Sequence, residues 1–248
     1  MTRHASRSIP PALAGCLFLA WILAGPGSAA DAYEAVPVTD GGTIQGKVVF
    51  PGPPPPKKKV IPTKDKETCG SAPRDVDQIL LGPDKVVQDA VVYLKKVEKG
   101  KAWEKPAKAP EINNAKCDFQ PHVQVIPAGD VEIVNSDPVL HNTHGFLDKL
   151  TVFNVALPNQ GQRIGKPLRR PGLVRVECDA HGWMLGWIHV ADNPYYAVSA
   201  KDGTFTIKDV PPGSYTLVAW QEYTGAVEVP VTVKPKEVVS TPVELKKK

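Results

Sequence analysis

The chain has 248 residues, enough for one or two domains, with 42% hydrophobic residues and a formal net charge of +4. Two of those charges, Arg3 and Arg7, lie in a leader-like first segment that carries no acids, so the remainder holds +2. That balance argues against nucleic acid or an anionic membrane as partner, and Lys57-Lys58-Lys59 and Lys246-Lys247-Lys248 read as solvated ends.

Residues 1–30 read as a secretory signal: a basic start, an apolar run over 12–24, then Ser28, Ala29 and Ala30 as a cleavage site. The run falls short of the about 20 residues that span a membrane, and no later stretch comes close. Leu13-Ala14-Gly15-Cys16 matches a bacterial lipoprotein box, but most of the apolar run follows Cys16 instead of preceding it. Cleavage near Ala30 is therefore the expectation, giving a periplasmic or secreted protein with no membrane span.

Beyond the leader, short alternating apolar runs are broken by proline and glycine, and a 3.6-residue period is almost absent. The expectation is an all-β fold. Residues 43–50 read as a strand, 51–56 as a stiff polyproline stretch, 63–84 as a loop carrying Cys69, 86–97 as a strand and 98–110 as a further loop. Next, 123–126 and 131–134 flank a turn signal at 127–130, 153–157 alternate, Pro171-Gly172 starts a turn before 173–178, and 186–190 close the block. From Asn193 onward, Asp202-Gly203 and Pro211-Pro212-Gly213 turns separate short strands, as in a small sandwich. The domain reading is 1–30 signal, 31–110 an extension packing on either domain, 111–192 a metal-bearing domain, and 193–248 a second, smaller sandwich.

The chemistry is densest at Cys178, His181 and Met184, spaced three residues apart so that one turning loop can present all three. A second imidazole, His141, stands upstream in NSDPVLHNTHG. One Cys, two His and a weak axial Met are the donors of a mononuclear type 1 copper site. Asn142, beside His141, has an amide that can lock the two ligand loops together, and Trp183 with Trp187 can form an apolar collar, although an ordinary loop residue and core tryptophans are the plain alternatives. His144 and His122 are surplus imidazoles that could replace Met184 or add a donor, whereas His189 alternates with Ile188 and Val190 on a strand and reads as a non-ligand. Of four cysteines, Cys16 leaves with the signal and Cys178 is a metal donor. Cys69 and Cys117 then either pair in an oxidising compartment or remain free thiols.

The strings FQPHVQVIPAGDVEIVNSDPVLHNT and PGLVRVECDAHGWM resemble the cupredoxins, the plastocyanin and pseudoazurin family, over roughly 117–191. The resemblance implies a Greek-key β-sandwich holding one copper ion through His141, Cys178, His181 and Met184, and exchanging single electrons with a redox partner protein. Only Gly182 and Trp183 separate His181 from Met184, fewer than plastocyanin-like loops place there. The short gap is similar to the binuclear copper loop of cytochrome oxidase, but the second bridging cysteine is missing, so one copper is expected. YYAVSAKDGTFTIKDVPPGSYTLVAW resembles the carboxypeptidase regulatory-like, or transthyretin-like, sandwich, a module that is usually non-catalytic. GGTIQGKVVF resembles that module's opening strand, so residues from about 41 can pack with the last domain. The combination also resembles exported bacterial methylamine-utilisation-type proteins. Motifs for hydrolase, phosphate-binding, haem and zinc-protease chemistry are missing, so a non-enzymatic electron carrier is the expectation. Copper sequestration or delivery, and a metal-free structural or adhesion module, are the rivals.

Overall fold

In the computed structural model, residues 1–2 and 33–247 are described; the rest of the segment expected to be a signal, the expected cleavage site and Cys16 lie outside them. Tyr33–Lys248 is one compact unit, and its described residues are almost entirely strands and turns, with two β-sandwiches and two separate apolar cores. The all-β expectation holds.

The first sandwich uses a contiguous piece of chain. One sheet runs Arg163–Leu168, Gly129–Asn135, Glu111–Ala115, Asp118–Gln120; the facing sheet runs Leu150–Leu157, His141–Leu147, Gly172–Glu177, Leu185–Ala191, Val123–Pro127. Both sheets mix parallel and antiparallel pairs: Glu111–Ala115 lies parallel to Gly129–Asn135, and Val123–Pro127 parallel to Leu185–Ala191. Period-2 alternation sends Ile112, Ile133, Leu157, Val174, Val176 and Ile188 inward, all fully buried. Removing such aliphatic side chains from water is the main favourable term holding the sheets together, at about 25 cal/mol per Å².

The second sandwich is assembled from both ends of the chain. Gly42–Val49 is flanked by Thr204–Val210 on one side and by Val238–Ser240 and Val243–Glu244 on the other. Val91–Lys95 lies between Tyr196–Val198 and Gly213–Gln221 in the facing sheet, which Gly225–Val233 completes. Ile44, Val48, Leu94 and Leu217 meet between the layers. The Asp202-Gly203 turn before Thr204 needs a left-handed residue, and Gly203 supplies it with φ 74°.

The two sandwiches touch. Asn193, 2% exposed, donates to the Leu94 carbonyl and accepts the Tyr195 N–H, fixing the chain as it leaves one for the other. The His189 ring stacks on Tyr93 at 4.4 Å and Trp187 meets Trp220 edge-on at 5.0 Å. Within the stretch read as a loop over 63–84, the structure forms a four-residue helix, Lys66–Cys69, and a short strand, Arg74–Val76, paired with Lys58–Val60. Cys69 and Cys117 form a disulfide that ties this strap to the first sandwich.

Candidate metal centre

The NSDPVLH segment is folded by its own polar side chains. Asn135, fully buried, donates to the carbonyls of Val139 and Leu157 and accepts the Asp137 N–H. Asp137 in turn accepts the backbone N–H groups of Lys116 and Cys117, each at 2.8 Å. This turns the carboxylate toward His141, the first residue of its strand, whose Nε2 lies 3.0 Å from Asp137 Oδ2. On the opposite loop, His181 N–H bonds the Cys178 carbonyl and Met184 N–H bonds the His181 carbonyl, so successive turns carry the three side chains.

The two loops converge on one point. His141 Nδ1 and His181 Nδ1 are 3.1 Å apart, and Cys178 Sγ is 3.8 Å from the first and 3.6 Å from the second. The imidazoles are fully buried and the thiol is 1% exposed. The three form a group able to hold a metal ion. Donors sharing one small ion through bonds of about 2.0–2.3 Å sit roughly 3.3–3.7 Å apart, and the observed separations bracket that range.

The outward nitrogens decide the protonation. His181 Nε2 lies 2.8 Å from Asp65 Oδ2, as His141 Nε2 does from Asp137. An ionised carboxylate only accepts, so each imidazole donates from Nε2 and, when neutral, keeps its Nδ1 lone pair for the centre. Burial lowers the His141 pKa against the pull of Asp137, favouring that neutral form. Burial raises the Cys178 thiol pKa, opposed by backbone N–H groups of Asn142, His181 and Ala180. Two lone pairs and a sulfur thus face one another in an enclosed place, an arrangement that a cation satisfies.

The remaining sequence candidates lie as follows. Met184 is 2% exposed and packs in the same core cluster as Cys178. Asn142 links the loops through its main chain, its N–H reaching Cys178 Sγ at 3.4 Å, while its side-chain amide turns away to Asn154. The expected side-chain lock is therefore a backbone one. His144 is not brought to the centre: three positions after His141 on one strand, it points to the opposite face, onto Asp179, Thr151 and the Phe146 ring. His122 is also elsewhere, bonded to Glu222 of the second sandwich, and that carboxylate raises its pKa despite burial. The Trp183 ring lies 5.0 Å from the His181 ring, and its N–H bonds the Cys117 carbonyl.

Sequence reading missed both carboxylates. Asp137 stood four residues before His141 inside the string that drew attention to the histidine. Asp65 stood four residues before Cys69, so the disulfide to Cys117 was the signal able to place it near the centre.

A family model described as polysaccharide lyase family 4, domain II matches residues 179–241, running from the ligand loop into the second sandwich. A comparison with the curated proteins finds no match. Among solved structures, the chain is similar to a purple cupredoxin from Nitrosopumilus maritimus, at 25% identity over 33% of this chain and 99% of that one, with a TM-score of 0.30. It is similar to amicyanin from Paracoccus versutus at 22% identity over 36% and 86% of the two chains, with a TM-score of 0.31. It is also similar to a copper-containing nitrite reductase from Thermus scotoductus SA-01, at 25% identity and a TM-score of 0.30 over 40% of this chain, spanning 25% of that reductase.

Proposed function

We propose that this chain is an exported carrier of single electrons with one copper ion bound by His141, Cys178 and His181, and with Met184 as the weak fourth donor. The observation that carries the reading is the pair of Nδ1 atoms 3.1 Å apart, each on an imidazole whose Nε2 is engaged by its own carboxylate, with a buried thiol completing the set. One soft thiolate and two imidazoles suit copper among the common metals, and a bound copper supplies one-electron exchange between Cu(II) and Cu(I). The chain's own part is to hold the donors in place. Asp137 and Asp65 fix the two rings, the Asn142 N–H stabilises the thiolate, and burial excludes water. Carriage of electrons to a partner protein, without catalysis, follows from this reading. The Cys69–Cys117 disulfide supports an oxidising compartment such as the periplasm.

Copper sequestration is a second reading, favoured by one observation: His181 is fully buried and its outer edge is covered by Asp65. Rapid, reversible redox cycling with an unchanged spectrum separates carriage from storage.

The test of copper binding is to load the protein with Cu(II), record visible and EPR spectra, and repeat with Cys178→Ser. An intense thiolate-to-copper band that disappears in the variant is expected; a colourless wild-type protein sinks the proposal. Met184→Leu should shift the spectrum without abolishing the band.

A further inference from the structure

Beside the strap, where the two sandwiches meet, lies a cavity of about 240 Å³. Trp183 and Trp187 from the first sandwich, Tyr223 from the second and Val60 from the strap form much of its wall. Most of its charged groups are paired. Arg74 holds Asp118 at 2.9 Å and His122 holds Glu222 at 2.9 Å; Asp77 is paired with Lys57, and Lys58 is the further cation on the wall. Both indole N–H groups are engaged, Trp183 with the Cys117 carbonyl and Trp187 with Glu222, so the tryptophans offer a visitor ring surface and no donor.

We propose that this cavity is a binding site for a small, neutral, planar aromatic molecule bearing a hydroxyl group. Size limits the occupant to one or two rings, because drug-sized ligands take roughly 300–1,000 Å³. An anion is disfavoured because three carboxylates, Asp77, Asp118 and Glu222, stand on the wall against the two fixed cations Lys58 and Arg74. A sugar needs a partner for each of several hydroxyls, whereas Arg74 and Asp118, His122 and Glu222, and both indole N–H groups already hold hydrogen bonds. A flat ring instead uses the stacking surface of two indoles and a phenol. Glu222 keeps room to accept from a ligand O–H. It accepts one bond on each oxygen, from His122 and Trp187, and a carboxylate has about four lone-pair sites. The site also stands next to the candidate metal centre, since Trp183, which lines it, packs on the His181 ring at 5.0 Å.

The experiment uses the full chain without metal, under anaerobic conditions, with four probes followed by calorimetry and by the NMR signals of the indole N–H groups. Hydroquinone carries both required features. 1,4-Dimethoxybenzene keeps the flat ring without a hydroxyl donor, cyclohexane-1,4-diol keeps the hydroxyls without the flat ring, and methyl glucoside is a polyol. Hydroquinone should bind saturably with one-to-one stoichiometry and shift the Trp183 and Trp187 signals, with the other three at least tenfold weaker. Trp187→Leu and Tyr223→Leu should each weaken it at least tenfold, and Cys178→Ser should leave it unchanged, so this test stands apart from that of copper binding. The proposal is overturned if hydroquinone shows no saturable binding in the millimolar range, if methyl glucoside or the diol binds as tightly, or if the indole signals do not move. Should a substituted variant fail to fold, the probe series and indole shifts in the unsubstituted chain decide the matter alone.

Discussion

Replacing Cys69 and Cys117 together by alanine should lower both the stability of the protein and its hold on copper. The bridge spans 48 residues, and in the chain-entropy account a loop of that length withholds about 4 kcal/mol of disorder from the unfolded state. For a unit of this size, 1 kcal/mol shifts the melting temperature by about 2–4 °C, so a fall of roughly 8–16 °C is expected. The strap freed by the double substitution also carries Asp65, which holds His181 Nε2 at 2.8 Å. Loss of such a partner costs about 10–100-fold in metal affinity, or roughly 1.4–2.7 kcal/mol. Differential scanning calorimetry of the metal-free protein reads the first quantity, and copper titration against a competing chelator reads the second. Asp65→Ala with the disulfide intact should reproduce the affinity loss while leaving melting nearly unchanged. Copper affinity equal to wild type in both proteins refutes the link from strap to His181. Unchanged melting refutes the entropic account of the bridge.

Asp137→Asn should weaken copper binding by about 10–100-fold in the same competition assay, because the amide no longer accepts as a charge from His141 Nε2. His144→Ala should leave the visible and EPR spectra of the copper protein unchanged, since that ring faces the opposite side of its strand; a shifted spectrum would place His144 at the centre after all. His189 is buried against Tyr93 and its pKa is pushed down to about 4, whereas the unfolded imidazole takes up its proton near 6.5. The unfolded state therefore binds the extra proton between those values, and stability is lost as pH falls through that window: about 1.4 kcal/mol at pH 5.5 and about 3 kcal/mol by pH 4. Denaturant midpoints of wild type and His189→Phe across pH 4–7 check this, and parallel pH profiles of the two proteins would refute it.

The donors were legible because their chemistry and spacing are local: Cys178, His181 and Met184 share one loop, and His141 follows a strand-like run. Asp137 and Asp65 were not, because a single carboxylate in a loop has no periodicity and gains meaning only when the chain brings an imidazole to it. The face of His144 was readable from the period of a strand, had residues 141–147 been recognised as one. Alternation marked residues 43–50 as a strand, yet its neighbours in the sheet come from beyond residue 200, and long-range pairing leaves no local trace. The short strands Glu111–Ala115 and Asp118–Gln120 escaped notice because Asn113, Asn114 and Asp118 break the apolar pattern; Asn114 is nonetheless fully buried, bonded to the Val134 carbonyl and Thr143.

The way the second sandwich closes dictates an order of assembly. Lys47 must wait for Thr204, roughly 150 residues later, before its sheet can form; at about 5–20 residues per second that wait lasts on the order of ten seconds during synthesis. The first sandwich, contiguous from Glu111 to Ala191, needs no such wait for its own sheets. A chain cut short before Gly213 would retain every strand of the first sandwich, but would leave Val91–Lys95 as an unpaired sheet edge toward the missing strands. Exposed edges of that kind recruit other chains, so truncation from the carboxy-terminal side should produce aggregation before it removes any metal donor.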